Sequence, residues 1–209
     1  MRIAKQGYPL IFSGAALTAI AGIAGWKLAC GVLSCATLAL AGFFRDPERR
    51  IPSSEGLVVS PADGKVVGVA DVSEAPRFAG TTTRVSIFLS PLDVHINRFP
   101  VGGTIDEVLY KRGKFLAAYK DEASERNEQN ALKIVDEKGR FFGVVQIAGV
   151  LARRIVCWVK PGDILARGDR FGLIMFGSRT DLYLPRGCKL EISEGQRVKG
   201  GETIVGRFV

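Results

Sequence analysis

The sequence predicts a mainly β domain of the sandwich or barrel type with few short helices, preceded by an N-terminal apolar helical hairpin. First, about ten short stretches rich in Val, Ile, Phe and Tyr alternate with Gly, Pro or Asp-Gly turns, which is typical of an all-β fold. Second, a long apolar segment lies near the N-terminus, and third, the composition changes abruptly from apolar to charged within residues 43–56 (FFRDPERRIPSSEG). We therefore expect a hairpin over residues 1–50 and a β-rich domain over residues 51–209.

The apolar segment spans residues 10–44 and contains one charged residue, Lys27. Lys27, next to Trp26, divides it into two stretches of 17 residues, each about 25 Å long as a helix, at the low end of what crosses a bilayer. Basic residues flank it on both sides and favour a hairpin with both ends at the cytoplasmic face of the cell membrane: Arg2, Lys5, Arg45, Arg49 and Arg50. One long tilted helix and a secretory signal peptide are the alternatives, and the second apolar stretch with its basic end argues against the signal peptide.

The protein has 29 basic and 21 acidic side chains, a formal net charge of +8, and one histidine. On a chain with a membrane segment, this excess favours anionic lipid headgroups over nucleic acid as a partner, because no aromatic and arginine-rich motif is present. The cysteines show neither CxxC nor Cys/His spacing, so we expect reduced thiols in a cytoplasmic protein and no metal site: Cys30, Cys35, Cys157 and Cys188.

Two further features mark the β-rich region. Residues 111–129 interrupt the strand pattern with a short helix and a polar loop, which indicates a functional flap or local disorder. Residues 162–171 align with residues 195–204, with glycine, acidic and apolar residues in matching places. This repeat favours a lipoyl-like β fold, although turns often reuse the same residue types.

A glycine-serine pair, Gly177-Ser178, interrupts the sequence FGLIMFGSRTDLYLP at residues 171–185. Taken alone, such a pair is a bend followed by a small polar residue at a strand end. Three other segments accompany it: residues 43–52 (FFRDPERRIP), 60–67 (SPADGKVV) and 88–100 (FLSPLDVHINRFP). Together the four segments resemble the short class of phosphatidylserine decarboxylase proenzymes, and the resemblance extends over nearly the whole chain.

The resemblance implies a cofactor made from the chain itself. In this family the serine of the pair attacks the carbonyl carbon of the preceding glycine, and the chain splits. Carried over, Ser178 attacks Gly177, which leaves a β chain of residues 1–177 and an α chain of residues 178–209 that remain associated. Ser178 becomes a pyruvoyl group, which forms a Schiff base with the amine of phosphatidylserine and accepts the electrons released with carbon dioxide. The product is phosphatidylethanolamine, and neither a metal nor an external cofactor is implied.

Two more residues take their roles from the resemblance. His95, the only histidine, is on its own more often structural than catalytic, but the resemblance implies proton transfer during decarboxylation and activation of Ser178. Asp63 begins an Asp-Gly turn, and turn geometry alone can explain an aspartate there. Longer members of the family, however, use an aspartate in this segment, together with a histidine and the serine, for self-cleavage. Those members have a second histidine where this sequence has Arg98, so either His95 has both roles or another base activates the serine.

The arginines near these motifs carry separate expectations. Arg179 is expected on an exposed strand, with a position beside the developing oxyanion as the alternative. The basic residues near the membrane are expected to hold the anionic serine phospholipid: Arg45, Arg49, Arg50 and Arg77.

Other functions are compatible with parts of the sequence. A membrane-tethered lipoyl-like binding module without chemistry explains the strands, the repeat and the hairpin, but it predicts an uncleaved chain. A serine hydrolase is disfavoured because no GxSxG motif surrounds Ser178. A decarboxylase of an ether-lipid (archaetidyl) serine stays open, as does assembly into a homo-oligomer.

Overall fold

The structure is a computed structural model that describes residues 2–72, 78–114, 126–149, 154–175 and 177–208. The chain divides into two compact units, Met1–Glu48 and Arg49–Val209. Arg77 and most of the predicted flap, residues 115–125, lie outside the described residues.

The first unit is a helical hairpin closed by a short antiparallel sheet. In chain order it contains β1 (Arg2–Ile3), a 3₁₀-helix (Lys5–Gly7), α1 (Tyr8–Ile23), α2 (Lys27–Phe43) and β2 (Arg45–Asp46), with β1 paired to β2. The turn between the helices contains Gly25, whose φ of +74° lies in the region that favours glycine, and Trp26 precedes α2 directly. The predicted hairpin, with its break at Trp26 and Lys27, is confirmed.

The two helices approach closely through small residues. A Cβ atom on Gly14 would lie 2.5 Å from Oγ1 of Thr37, so a larger residue there would separate the helices. The outer faces carry large apolar side chains that are more than half exposed: Phe12, Leu17, Ile20, Ile23, Leu28, Val32 and Leu38. Lys5–Ile23, with 19 residues, is long and apolar enough to cross a membrane, whereas Lys27–Phe43 is shorter at 17 residues. The N-terminal apolar helix is therefore a candidate membrane segment.

The second unit is built from short strands rich in β-branched and aromatic residues. In chain order they are β3 (Leu57–Val59), β4 (Gly64–Asp71), β5 (Thr81–Leu89), β6 (Ile96–Arg98), β7 (Gly103–Lys111), β8 (Gln129–Val135), β9 (Phe141–Ile147), β10 (Ile155–Cys157), β11 (Ile164–Leu165), β12 (Arg170–Ile174), β13 (Ser178–Pro185), β14 (Cys188–Leu190), β15 (Arg197–Val198) and β16 (Ile204–Phe208).

These strands form three antiparallel sheets. The large sheet has eight strands in the order β11-β7-β8-β9-β13-β5-β4-β15, and two three-stranded sheets have the orders β10-β12-β6 and β14-β16-β3. All three sheets contribute to one hydrophobic core, for example through Leu182, Phe171 and Val58. The mainly β prediction is confirmed, and the described strands form open sheets and not a closed barrel.

β13 lies inside the large sheet, paired with β9 on one side and β5 on the other. Its side chains alternate between two environments, as extended chain requires. Leu182 and Leu184 enter the main core, whereas Tyr183 packs against a second cluster on the other face. Two hydrogen-bonded neighbours and two packed faces hold this strand rigidly in place.

The predicted internal repeat is present as two equivalent units. The backbone N–H of Gly162 donates to the carbonyl of Ile105, and the N–H of Gly195 donates in the same way to Val66. Residues 96–105 with 162–171 therefore correspond to residues 57–66 with 195–204.

Ile51 packs between the two units of the repeat. Gly168 and Gly201 are equivalent, since their N–H groups donate to the carbonyls of Phe99 and Ser60, and their φ values are +88° and +80°. A Cβ atom would lie 2.3 Å from Cδ1 of Ile51 at Gly168 and 3.0 Å from it at Gly201. Both positions therefore require glycine, for backbone shape and for space.

Candidate active site

Ser178 is the first residue of β13 and is completely buried. Backbone pairing places it opposite Leu89, the last residue of β5. Among the described residues, its hydroxyl oxygen has no hydrogen-bond partner. An unsatisfied buried hydroxyl destabilises a fold by about 1–3 kcal/mol, so Ser178 is a candidate for a chemical role.

Gly177 holds the peptide before this serine in an uncommon conformation. Its φ of +61° lies in the left-handed region, and no described atom lies within 4 Å of the position that a Cβ atom would take. Space would therefore admit a side chain, but the backbone disfavours one by about 1–2 kcal/mol. Residues held in this region cluster at functional sites.

His95 is also completely buried, and its tautomer can be deduced. Nδ1 lies 2.9 Å from the carbonyl oxygen of Asp93. Because a carbonyl only accepts hydrogen bonds, Nδ1 carries the hydrogen, and Nε2 is the basic nitrogen of the neutral ring. The carbonyl of His95 accepts from the N–H of Ile174 at 3.3 Å, so the residue extends the pairing of β6 with β12.

A tight turn connects the partner strand of Ser178 to His95. The Asp93 carboxylate accepts hydrogen bonds from the backbone N–H and the hydroxyl of Ser90, at 2.9 and 2.7 Å, and it also pairs with Arg197. The N–H of Asp93 donates to the carbonyl of Ser90. The chain therefore leaves Leu89 and reverses before it reaches His95.

A hydrogen bond joins the strand that follows His95 to the strand that begins with Ser178. Nδ2 of Asn97, in β6, donates to Oγ1 of Thr180, in β13, over 3.1 Å. In extended chain, side chains two residues apart lie on the same face. His95 thus shares a face with Asn97, and Ser178 shares a face with Thr180. The hydrogen bond therefore joins the two strand faces on which the candidate residues lie.

The Asn97 side chain belongs to a buried chain of amides. Nδ2 of Asn130 donates to Oε1 of Gln146 at 2.9 Å, and Nε2 of Gln146 donates to Oδ1 of Asn97 at 2.8 Å. These three side chains and Thr180 are at most 2% exposed. Buried hydrogen-bonded amides are costly to disturb, so the chain fixes β6 relative to β13.

Asp63 lies in the turn before β4, with its carboxylate mostly buried. Nη2 of Arg49 donates to both carboxylate oxygens, at 2.9 and 2.7 Å, and the N–H of Gly200 donates to Oδ1 at 2.8 Å. Burial raises the pKa of the Asp63 carboxyl above its ordinary value, because it outweighs the opposing effects of Arg49 and Gly200. Within the described residues this carboxylate has no hydrogen bond to His95.

The family model for phosphatidylserine decarboxylase matches residues 37–206, a range that includes Asp63, His95 and Ser178. The chain belongs to the phosphatidylserine decarboxylase family. A phosphatidylserine decarboxylase proenzyme from Symbiobacterium thermophilum is 49% identical over 207 residues, which cover 99% of this chain and 95% of that protein. A proenzyme of the same name from Citrifermentans bemidjiense is 44% identical, over 98% of this chain and 95% of that protein. One from Desulfotalea psychrophila is 38% identical, over 99% of this chain and 97% of that protein.

Arg98 occupies the position where longer members of the phosphatidylserine decarboxylase family have a second histidine. Its side chain is buried, and Nη1 donates to the carbonyl of Gly168 at 2.9 Å. Its Cδ lies 2.9 Å from where a Cβ atom on Gly201 would stand, so it packs between the two units of the repeat. Arg98 is three residues from His95 and therefore faces the other side of β6. His95 remains the only imidazole of the chain.

The expectation that Arg179 lies on an exposed strand is wrong. Its side chain is 2% exposed, and Nε and Nη2 donate to the two carboxylate oxygens of Asp181 at 2.8 and 2.9 Å. Both residues alternate with Ser178 and Thr180, so the ion pair lies on the opposite face of β13. The cause is the interior position of β13, where a charged side chain is stable only when paired.

The expectation that Arg49 holds a lipid headgroup is also wrong. Its side chain is 7% exposed and is bound to Asp63, with Nη1 3.8 Å from Oε2 of Glu202. Arg50 is exposed. Arg45 donates from Nη1 to the carbonyl of Gly42 at 2.7 Å, which caps the end of α2.

Sequence reasoning missed the residues that support the site. Asn97, Gln146 and Thr180 are polar positions on strands whose neighbours are apolar, and this is the signal that could have found them. A polar residue at an inward position of a strand needs a buried partner. Which partner it finds depends on strands distant in sequence.

Proposed function

We propose that this protein decarboxylates phosphatidylserine to phosphatidylethanolamine after it cleaves its own chain between Gly177 and Ser178. The observation that carries the proposal is the buried Ser178 hydroxyl, without a described partner, directly after a glycine with left-handed φ. Relatives named phosphatidylserine decarboxylase proenzyme, matched over almost their whole length, support the same reaction.

Self-cleavage begins when Oγ of Ser178 attacks the carbonyl carbon of Gly177. A C–O bond forms, the peptide C–N bond breaks, and the nitrogen takes a proton, so an ester joins the two parts of the chain. Loss of the Cα proton of Ser178 then expels the Gly177 carboxylate from Cβ. The remaining enamine takes up water and releases ammonia, which leaves a pyruvoyl group at the start of residues 178–209.

His95 is the base in this proposal. Nε2 takes the proton of the Ser178 hydroxyl and passes it to the leaving nitrogen, since Nδ1 already donates to the carbonyl of Asp93. The Asp93 carbonyl holds the ring in the tautomer that this transfer needs. Asp63 stays bound to Arg49 in this scheme and takes no direct part in the proton transfer.

The surroundings of residue 178 suit a carbonyl group at this place. The side chain is completely buried, as are His95 and Thr180, and the backbone of β13 stays paired on both sides after the chain breaks. The pyruvoyl carbonyl supplies the electron sink for the electrons that carbon dioxide leaves behind. His95 delivers the proton that the decarboxylated carbon of the headgroup requires.

The two fragments stay together because their strands are interleaved. Residues 178–209 contain β13, β14, β15 and β16, and these pair with strands on the other side of the cleavage point: β13 with β5 and β9, β15 with β4, and β16 with β3. Cleavage removes one peptide bond and none of these ladders. The α and β chains therefore act as one enzyme.

The substrate has two acyl chains and does not leave the bilayer, because each buried CH₂ contributes about 0.8 kcal/mol. The apolar hairpin keeps the enzyme at the membrane, and its basic flanks favour the cytoplasmic face. Exposed cations such as Arg50 remain as candidate contacts for the anionic headgroup.

Intact-mass analysis of the purified protein tests the proposal. We expect two fragments, residues 1–177 and residues 178–209, with the smaller one lighter by one ammonia than simple hydrolysis would leave it. Ser178→Ala should stay a single chain and lose decarboxylation of phosphatidylserine vesicles. A single unmodified chain that still converts the lipid would overturn the proposal, and an inactive single chain would favour the binding module. Vesicles of an ether-lipid serine in parallel would show whether the lipid backbone matters.

A further inference from the structure

Asp93 lies two residues before His95, and its backbone carbonyl accepts the hydrogen of Nδ1. That hydrogen bond selects the tautomer of the imidazole only while the carbonyl keeps its direction. Asp93 is 8% exposed, and its N–H, its carbonyl and its carboxylate all have partners among the described residues. The contacts that hold Asp93 therefore also hold the imidazole.

The carboxylate of Asp93 closes the turn that carries this carbonyl. Oδ2 accepts hydrogen bonds from the backbone N–H and the hydroxyl of Ser90, at 2.9 and 2.7 Å, while Oδ1 pairs with the guanidinium of Arg197. The N–H of Asp93 donates to the carbonyl of Ser90 at 2.9 Å. Because its nitrogen and its side chain are both held, the main rotation left to Asp93 is about the bond to its carbonyl carbon. Val94, the next residue, is buried and limits that rotation as well.

Arg197 is the equivalent of Ile164 in the internal repeat. Each residue begins a two-residue strand, β15 or β11. These strands pair with equivalent neighbours, Arg197 opposite Lys65 and Ile164 opposite Thr104. Ile164 is 81% exposed, so a strand at this place of the repeat does not require an arginine. The side chain of Arg197 is 69% exposed, and its guanidinium binds the carboxylate of Asp93. The arginine therefore supports the turn and not its own strand.

We propose that Asp93 is the positioning residue of the His95 imidazole. Its carboxylate, held by Ser90 and Arg197, keeps the carbonyl on Nδ1, so the hydrogen stays there and Nε2 stays the nitrogen that accepts a proton. The inference rests on the proposed role of His95 as the base of self-cleavage, and it adds the residues that set the protonation site of that base. Arg197 belongs to residues 178–209, so after cleavage the smaller fragment still holds the turn that orients the base of the larger one.

The single histidine of the chain allows a direct test by NMR, because the imidazole signals come from one residue. In full-length Ser178→Ala precursor that carries isotope-labelled histidine, at a pH where the ring is neutral, we expect the Nδ1–H tautomer. Asp93→Ala should convert much of the ring to the Nε2–H tautomer, because the hydrogen bond that selects Nδ1–H is no longer held. Asp93→Asn keeps an oxygen that accepts from Ser90, so it should retain Nδ1–H.

Self-cleavage of freshly translated full-length precursor measures the consequence. In Asp93→Ala we expect the half-time of fragment formation to rise about a hundredfold, as for a displaced catalytic group. Asp93→Asn loses only the ion pair with Arg197. Arg197→Ile, which copies Ile164, loses the same pair. Because the arginine is largely exposed, each of these two variants should slow cleavage by about fivefold at most.

Asp136→Ala is the matched control. The carboxylate of Asp136 also closes a turn, since it accepts from the N–H groups of Lys138 and Arg140 and pairs with the guanidinium of Arg140. This turn joins β8 to β9 at Phe141, the end of β9 away from Ile147, which pairs with the start of β13. Its loss should leave both the tautomer and the half-time of cleavage unchanged.

Thermal melting of each variant in the Ser178→Ala precursor reports folding alone. If Asp93→Ala does not fold by this measure, Ser90→Ala decides in its place, because it removes one donor to the carboxylate and should shift the tautomer in the same direction.

The outcomes separate this inference from the proposed function. If the parent forms no fragments but Asp93→Ala changes the tautomer, the proposed function fails and the positioning by Asp93 stands. An Nε2–H ring in the Ser178→Ala precursor, or an Nδ1–H ring that persists in folded Asp93→Ala, overturns the role of Asp93 whether or not the chain cleaves. Cleavage of folded Asp93→Ala at the parental rate overturns it too. A changed tautomer with slow cleavage in Asp93→Ala, and neither effect in Asp136→Ala, would establish it.

Discussion

The two units of the internal repeat share their backbone hydrogen bonds and differ in the side chains at equivalent positions. Asp63 in one unit corresponds to Gly102 in the other, and the partner N–H groups are those of Gly200 and Arg167. In the first unit the carboxylate accepts that hydrogen bond, and in the second no side chain is present. The turn therefore forms without an aspartate, so turn geometry does not explain why Asp63 is there.

The opposite contrast separates β3 from β6. Val58 and Val59 of β3 are buried in the core, whereas their counterparts Asn97 and Arg98 of β6 are buried and hydrogen bonded. His95 directly precedes β6. The backbone of the repeat therefore accepts both apolar and polar side chains at equivalent positions, so functional residues can be placed on a shared scaffold.

Loss of the His95 imidazole should have the largest effect. In His95→Gln we expect self-cleavage to slow by at least about a hundredfold and decarboxylation of phosphatidylserine to be lost, because the general base and proton donor is absent. Time courses of fragment formation and of phosphatidylethanolamine release measure the two steps. Cleavage at the parental rate would assign the first step to another base.

The second prediction replaces Asp63 of the first repeat unit by glycine, the residue at the equivalent position of the second unit. In Asp63→Gly, which copies Gly102, we expect the free energy of unfolding to fall by about 3–5 kcal/mol, because Arg49 is left buried without its carboxylate. Urea unfolding of the Ser178→Ala precursor, with and without this change, measures the loss. Adding Arg49→Leu should recover most of it. A loss below about 1 kcal/mol would mean that Arg49 reaches solvent and that the ion pair contributes little to stability.

The contact of Ile51 with both units allows a matched comparison of equivalent glycines. Gly168→Ala and Gly201→Ala should each lower the free energy of unfolding by about 1–2 kcal/mol, because alanine is strained in the left-handed backbone conformation. Gly168→Ala should cost more, because its Cβ atom would overlap Ile51 more deeply. Ile51→Ala should relieve the extra cost at Gly168 in a double mutant. Equal losses in both single variants, unchanged by Ile51→Ala, would contradict this account.

The smallest expected effect is the pH dependence of stability due to Asp63. Its pKa is raised in the folded state, so the folded protein binds this proton more tightly than the unfolded chain does. The stabilising contribution is present below the unfolded pKa of about 3.8 and is lost as the pH rises through the folded pKa. Relative to Asp63→Asn, the uncleavable precursor should therefore lose unfolding free energy as the pH rises from 3.8. Urea titrations at several pH values measure this difference. A rise in unfolding free energy with pH would mean that the effect of Arg49 on the Asp63 pKa outweighs that of burial.

Much of the fold follows from local patterns in the sequence. The break at Trp26 and Lys27, the short strands and the two glycine-rich units depend on neighbouring residues, because apolar periodicity and turn chemistry act over a few positions. The candidate serine was found because Gly177-Ser178 stands in a specific motif. Its burial and its hydroxyl without a described partner agree with a chemical role.

The partners of the polar side chains could not be predicted in the same way. Arg49 was expected to face lipid and binds Asp63, and Arg179 was expected at the surface and binds Asp181 inside the large sheet. The partner of Arg49 lies in the turn before β4, and the burial of Arg179 depends on where β13 lies in the sheet order. That order pairs segments far apart in the chain, and no local pattern encodes it.

The sequence alone determined which residue types are present and how they are spaced: one histidine, one Gly-Ser pair between strands, a glycine repeat and an apolar hairpin. Only the tertiary structure decided which of them meet. It placed Asn97 against Thr180, set the imidazole tautomer through the carbonyl of Asp93, and turned the carboxylate of Asp63 to Arg49. A buried polar group without a partner is costly, and the partners of Asn97 and Asp63 lie on segments distant in the sequence.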